Sequence, residues 1–174
     1  MTARGKSRTI TFKSADGLRA MLRGLSKEAS QQLREASFGL TDDIATQAAN
    51  RAYQLGGLAA LVAPAITGRR DREPTIKYGN SQKLPKYGRT SQGGFYQRSR
   101  KGPQQTIGAV IWGAEFGGGA RPTTQQFLPW LGNDSTAGYF LYPTIRDMSD
   151  EMEARYWEAV MKAIDDTSRG NKEK

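Results

Sequence analysis

A chain of 174 residues, 37% hydrophobic and carrying a net charge of +9, is one domain by length and lean in apolar side chains. Its mean hydropathy of −0.67 points to a part of the chain that is extended or ordered by partners. Cysteine and histidine are both missing. That excludes disulfides and thiol nucleophiles, and it removes the usual general base near neutral pH and the commonest metal ligand.

In chain order, residues 1–13 read as a flexible basic arm, in which Arg8 to Lys13 alternates weakly. That alternation predicts a short strand, or an arm added to a neighbour's sheet. Helices are predicted over 14–56. Ser14 would cap a first one, from Ala15 to about Leu25. A second runs from Lys27 to Leu55, with Leu33, Ala36, Leu40, Ile44, Ala48, Ala52 and Leu55 on one stripe, and Gly56-Gly57 stops it.

The most apolar stretch, Leu55 to Ile66, is too short to span a bilayer and is interrupted by Pro64. Within it, Leu58 to Ala65 is expected to be a short helical turn or a buried connection. No secretory signal is evident, so a cytoplasm-like compartment is expected for synthesis. Pro74 to Tyr78 reads as a strand, and 79–102 as a long loop or extended hairpin. Gln105 to Phe116 is rich in β-favouring residues and is expected to be a strand, followed by aromatic loops to residue 146. A final amphipathic helix is predicted over 147–166, with a charged tail at 167–174. Its outer pairs Glu151–Arg155 and Glu158–Lys162 lie four apart in the favourable order. This order of elements predicts an α+β domain: N-terminal helices and a long C-terminal helix on a small, mostly antiparallel sheet, with a long basic insertion over 68–104.

The charge is concentrated in that insertion. Residues 68–102 hold ten basic side chains (Arg69, Arg70, Arg72, Lys77, Lys83, Lys86, Arg89, Arg98, Arg100 and Lys101) against Asp71 and Glu73, a net of +8. The remainder is +1. Tyr78, Tyr87, Phe95 and Tyr96 interleave with these cations. Phosphate attraction with base stacking would suit nucleic acid, and an acidic protein surface would suit the same cations. No recognition helix, zinc finger or RNA-binding motif accompanies them, so non-specific contact is expected.

The remaining motifs carry little chemistry. Gly117-Gly118-Gly119 leads into Arg121-Pro122 and not into a phosphate-binding helix, so it reads as a turn that permits close backbone approach. Glu115 has no partner acid at a spacing that acid–base catalysis would need, and reads as a structural or intersubunit salt-bridge residue. Phe116, Phe127, Trp130, Tyr139 and Tyr142, with Phe140, read as a core clasp over the last helix or as a subunit contact. Neither a catalytic residue nor a cofactor is expected.

Gly113-Ala114-Glu115-Phe116-Gly117 is followed by an Arg-Pro, by Phe127-Leu128-Pro129-Trp130, by Gly138-Tyr139-Phe140-Leu141-Tyr142-Pro143 and by a closing helix. This ordered series, with the opening Asp16 to Arg23 segment, resembles the tail-completion or head-to-tail joining family of long-tailed bacteriophages, in a version like those of actinobacteriophages. The resemblance implies a non-enzymatic α+β subunit that forms a ring in the virion neck, a hexamer in preference to a dodecamer. Such a ring joins connector or adaptor proteins to the tail terminator or tail tube, encloses genomic DNA without reading its sequence, and touches no membrane. The alternative is a standalone, non-specific nucleic-acid-binding protein using 68–102.

Overall fold

A computed structural model describes residues 8–11, 20, 22–84, 87–89, 95–97, 105–118, 127–131 and 137–170. Its elements in order are β1 (Arg8–Thr11), α1 (Lys27–Leu55), α2 (Gly57–Val62), a 3-10 turn (Ala63–Ala65), β2 (Ile66–Arg69), β3 (Thr75–Tyr78), β4 (Tyr87–Arg89), β5 (Phe95–Gln97), α3 (Ile107–Phe116) and α4 (Leu141–Gly170). The architecture is α+β: helices packed on a three-stranded antiparallel sheet of order β1-β3-β2, beside a separate β4-β5 pair.

α1 occupies the predicted span. The Ser26 Oγ accepts from the Ala29 N–H at 3.1 Å, and Gly56 at φ 70 ends it. Its stripe Leu33, Leu40, Ile44, Ala48 and Ala52 is buried. One side of α1 lies on β2, so closely that a Cβ on Gly68 would stand 2.7 Å from the Asp42 backbone nitrogen. Another packs on α4, which runs antiparallel to it: the Ser26 N–H meets the Thr167 hydroxyl at one end, and Arg51 pairs with Asp147 at the other. Ser37 and Tyr156 both donate to the Arg72 carbonyl at 3.1 Å, which ties both helices to the β2–β3 turn. Burial and neighbouring Glu73 push the Tyr156 hydroxyl up to about 12, so it remains a donor at any ordinary pH. β1 pairs with β3 of its own chain, Ile10 opposite Ile76, which realises the strand reading of the basic arm.

Three expectations are corrected. Gln105 to Phe116 forms helix α3 from residue 107, not a strand. Ile107, Val110, Ile111 and Ala114 keep helical spacing and are all buried, so burial of that face outweighs the β-favouring composition. α4 covers 141–170, starting six residues before the predicted 147 and running four past the predicted 166, into the expected tail. Its N-terminal N–H groups find a partner distant in sequence, described below. Finally, 68–104 is not a single insertion. Its first part is the β2–β3 hairpin of the sheet, with Ile66 opposite Tyr78 and Arg69 opposite Thr75. The residues that follow bind α3: Gly108 N–H donates to Asn80 O, Ile107 N–H to Gln82 O, and Leu84 N–H to Gln105 O. Of the predicted first helix, Ala20, Leu22 and Arg23 are described and helical, Gly24 and Leu25 form a turn and bend, and 15–19 and 21 lie outside the described residues.

Candidate functional site

The aromatic motifs converge where α3 ends and α4 begins. Glu115, the penultimate residue of α3, is 2% exposed. One carboxylate oxygen accepts from the Phe140 and Leu141 N–H groups at 3.3 and 2.9 Å, and the other accepts from the Tyr142 N–H at 2.8 Å. The Glu115 carbonyl takes the Tyr139 N–H at 2.8 Å. A single residue of α3 therefore satisfies the donors that open α4, and an acidic group at a helix N-terminus also meets the favourable end of the helix dipole. Gly138, at φ 120, makes room: a Cβ there would lie 2.5 Å from a Glu115 carboxylate oxygen. Burial pushes the Glu115 carboxyl up to about 7, against the three N–H groups and the nearby Arg146 charge that pull it down. Arg146 itself donates to the Ala137 carbonyl at 3.0 Å and so braces the approach to the helix. The salt-bridge reading of Glu115 is thereby corrected: its carboxylate is the cap of α4.

The aromatic residues divide into an inner and an outer set. Phe116 is buried, with Trp112 and Tyr142 rings 4.4 and 5.1 Å away. Half-buried Phe127 lies over α3, so close to Gly113 that a Cβ there would be 2.4 Å from its ring. Residues 127–131 are laid along the end of α3: the Gly118 N–H donates to Leu128 O and the Leu131 N–H to Phe116 O, both at 3.0 Å. Tyr139 donates its hydroxyl to Pro129 O at 2.8 Å, and partial burial raises its pKa. Gly117 ends α3 at φ 83 beneath this segment, and a Cβ on it would come within 1.9 Å of Pro129 O. The close backbone approach expected of the glycine run is present at Gly117 and Gly118, but Gly118 is bridged to Pro129 and is not a turn; Gly119 is outside the described residues. The outer set is Trp112, Trp130 and Leu131, of which Trp130 is 46% exposed. The sequence singled out Trp130, but Leu131 gave no signal beyond being apolar beside it. The roles of Gly138 and Arg146 are not legible in the sequence, because they depend on Glu115 and Ala137 folding back against them.

Among the described residues, the cations are not gathered into one patch. Arg69 and Arg70 are exposed at the β2–β3 turn, where Arg69 pairs with Asp71 at 3.3 Å and Arg70 lies 4.8 Å from the Phe38 ring. Arg72 is structural, donating to the Leu22 carbonyl at 2.9 Å. Lys77 is half-buried on the central strand, and exposed Lys83 lies beyond the opposite end of β3. Tyr78 is in the core and cannot stack on a base, a correction to its place among the interleaved aromatics. Arg89 falls in β4, where only the backbone is described; Lys86, Arg98, Arg100 and Lys101 lie outside the described residues. Among the described residues no group of three acidic side chains is placed to hold a metal ion, and no helix is long and apolar enough to cross a membrane.

The arrangement suits presentation of an apolar surface on a rigid mount. No family model, no curated protein and no solved structure matches this chain.

Proposed function

We propose that this protein is a structural subunit of a long-tailed bacteriophage neck, assembling into a ring that joins the head connector to the tail around the DNA channel. The observation that carries this reading is the outer aromatic rim. Trp112, Trp130 and Leu131 stay exposed although the segment bearing two of them is hydrogen-bonded to the end of α3. Large exposed apolar groups on a rigid support mark a protein–protein contact. The ordered motifs from Gly113 to Pro143 give that contact its context, and the absence of histidine and cysteine fits a non-catalytic subunit.

Particles assembled with Trp130→Glu test it. Filled heads and finished tails that fail to join are the expected result. Normal infectious particles would overturn the proposal.

The exposed Arg69, Arg70 and Lys83, within a segment of net +8, favour a second reading as a standalone nucleic-acid-binding protein. It requires the isolated protein to bind DNA with an affinity that falls steeply with salt. Within the neck reading, replacing Arg98, Arg100 and Lys101 by Glu separates two roles: loss of DNA retention in joined particles assigns these cations to the channel, and unjoined particles assign them to protein docking.

A further inference from the structure

We infer that the outer face of α4 docks on the cationic surface of a second copy of this chain; the inference rests on the assembly reading above and names the contact that would repeat between subunits. The inner stripe of α4, including Met152, Tyr156, Val160 and Ala163, is buried in the core. On its opposite side Trp157 and Met161, one turn apart, are 45% and 56% exposed. Around them stand the exposed carboxylates Asp150, Glu153, Glu158 and Asp165. At 100° per residue these six positions occupy an arc of about 140°. Between Asp150 and Asp165 that arc holds no cation; Lys162, one turn from Glu158, stands just beyond its edge, beside the groove towards α1. Arg155 lies on the flank towards α1, where it pairs with Asp43 and Glu151.

Charge identifies the occupant. α4 carries seven acidic and four basic side chains, a net of −3 on a protein of +9, which leaves +12 on the rest of the chain. An exposed Trp–Met pair supplies an apolar anchor, and an acidic rim selects a cationic surface around it. Nucleic acid is repelled by that rim. A second copy offers the exposed pair Arg69 and Arg70 at its β2–β3 turn. The two surfaces differ, so the contact is heterologous: it adds subunits head to tail and closes when the rotation between them closes.

The test is the mass of the full chain by light scattering across a concentration series at low and high salt. Wild type is expected to form a closed oligomer that loosens as salt rises. Trp157→Ala with Met161→Ala, and separately Glu153→Lys with Glu158→Lys, should each weaken association at least ~30-fold with melting temperatures unchanged. Mixing the Glu153→Lys/Glu158→Lys protein with an Arg69→Glu/Arg70→Glu protein should restore association. Oligomers of undiminished strength in both α4 variants overturn this contact and leave the assembly reading standing. A wild type that stays monomeric at every concentration overturns both. A mixed pair that stays apart overturns the assignment of the cationic surface.

Discussion

Lowering the pH from 8 to 5 should stabilise this protein, and Glu115 is the reason. Its carboxyl has an ordinary value of 4.5 and is pushed up to about 7 in the folded chain. Between those two values the folded state holds a proton that the unfolded state has released. The stabilisation is therefore complete below about pH 4.5 and is lost as pH rises through about 7. Of the interval between those values, about 1.8 pH units fall between pH 5 and pH 8, and at 1.36 kcal/mol each they amount to roughly 2.5 kcal/mol. For a chain of this length that is a fall of about 5–10 °C in melting temperature between pH 5 and pH 8. No histidine is present to titrate in the same window. Glu115→Gln keeps the shape and removes the titration. Its amide presents one acceptor and two hydrogens to three N–H donors, so it should be the less stable protein at pH 5 by about 1–3 kcal/mol. Its melting temperature should then be nearly flat from pH 5 to pH 8, so the gap to wild type closes as pH rises. Calorimetric or circular-dichroism melts of both proteins across that range decide it. A wild type that gains stability towards pH 8 would show that the three N–H groups and Arg146 outweigh burial. A slope that persists in Glu115→Gln would place the titration elsewhere.

Three substitutions probe the scaffold by chemical denaturation. Gly117→Ala forces a side chain into a positive φ and against Pro129 O, and should cost about 3 kcal/mol or more; less than 1 would mean that 127–131 is not seated on α3. Gly68→Ala drives β2 away from the α1 backbone and should cost about 1–3 kcal/mol, with α1 helicity retained. Phe140→Ala empties one of the largest fully buried sites and should cost about 3–5 kcal/mol.

The features legible in the sequence were those set by local rules. α1 could be read because Ser26, Gly56 and a continuous 3–4 stripe mark both ends and one face. The β3 strand and the Glu151–Arg155 pair are likewise local. α3 was misread because Ile107, Val110, Ile111 and Trp112 favour strands by type, while their spacing fits a helix; a short apolar run does not say which influence prevails. The start of α4 was hidden for a different reason. Tyr139 to Thr144 contains no ordinary side-chain cap for this end, because the cap is Glu115, about 25 residues earlier. The same non-locality concealed Arg72. As one of ten cations it reads as a nucleic-acid contact, but the fold brings Leu22 to its guanidinium and two hydroxyls to its carbonyl.

One residue thus governs more than the helix it caps. The Glu115 side chain holds residues 140–142, its carbonyl holds Tyr139, and Tyr139 in turn holds Pro129. The next residue, Phe116, holds the Leu131 N–H. Trp130 lies between these last two attachments, so its position is set by the same junction that starts α4. A change at Glu115 that leaves the global fold intact should therefore still alter the aromatic rim. The outer α4 face, Trp157 and Met161, lies four turns along the helix, at about 1.5 Å of rise per residue from that junction. The rim and the acid-edged face are consequently fixed relative to each other by one continuous helix. A closed assembly requires the same rotation at every contact, and a rim and a helix face held to one junction keep the same geometry in every subunit.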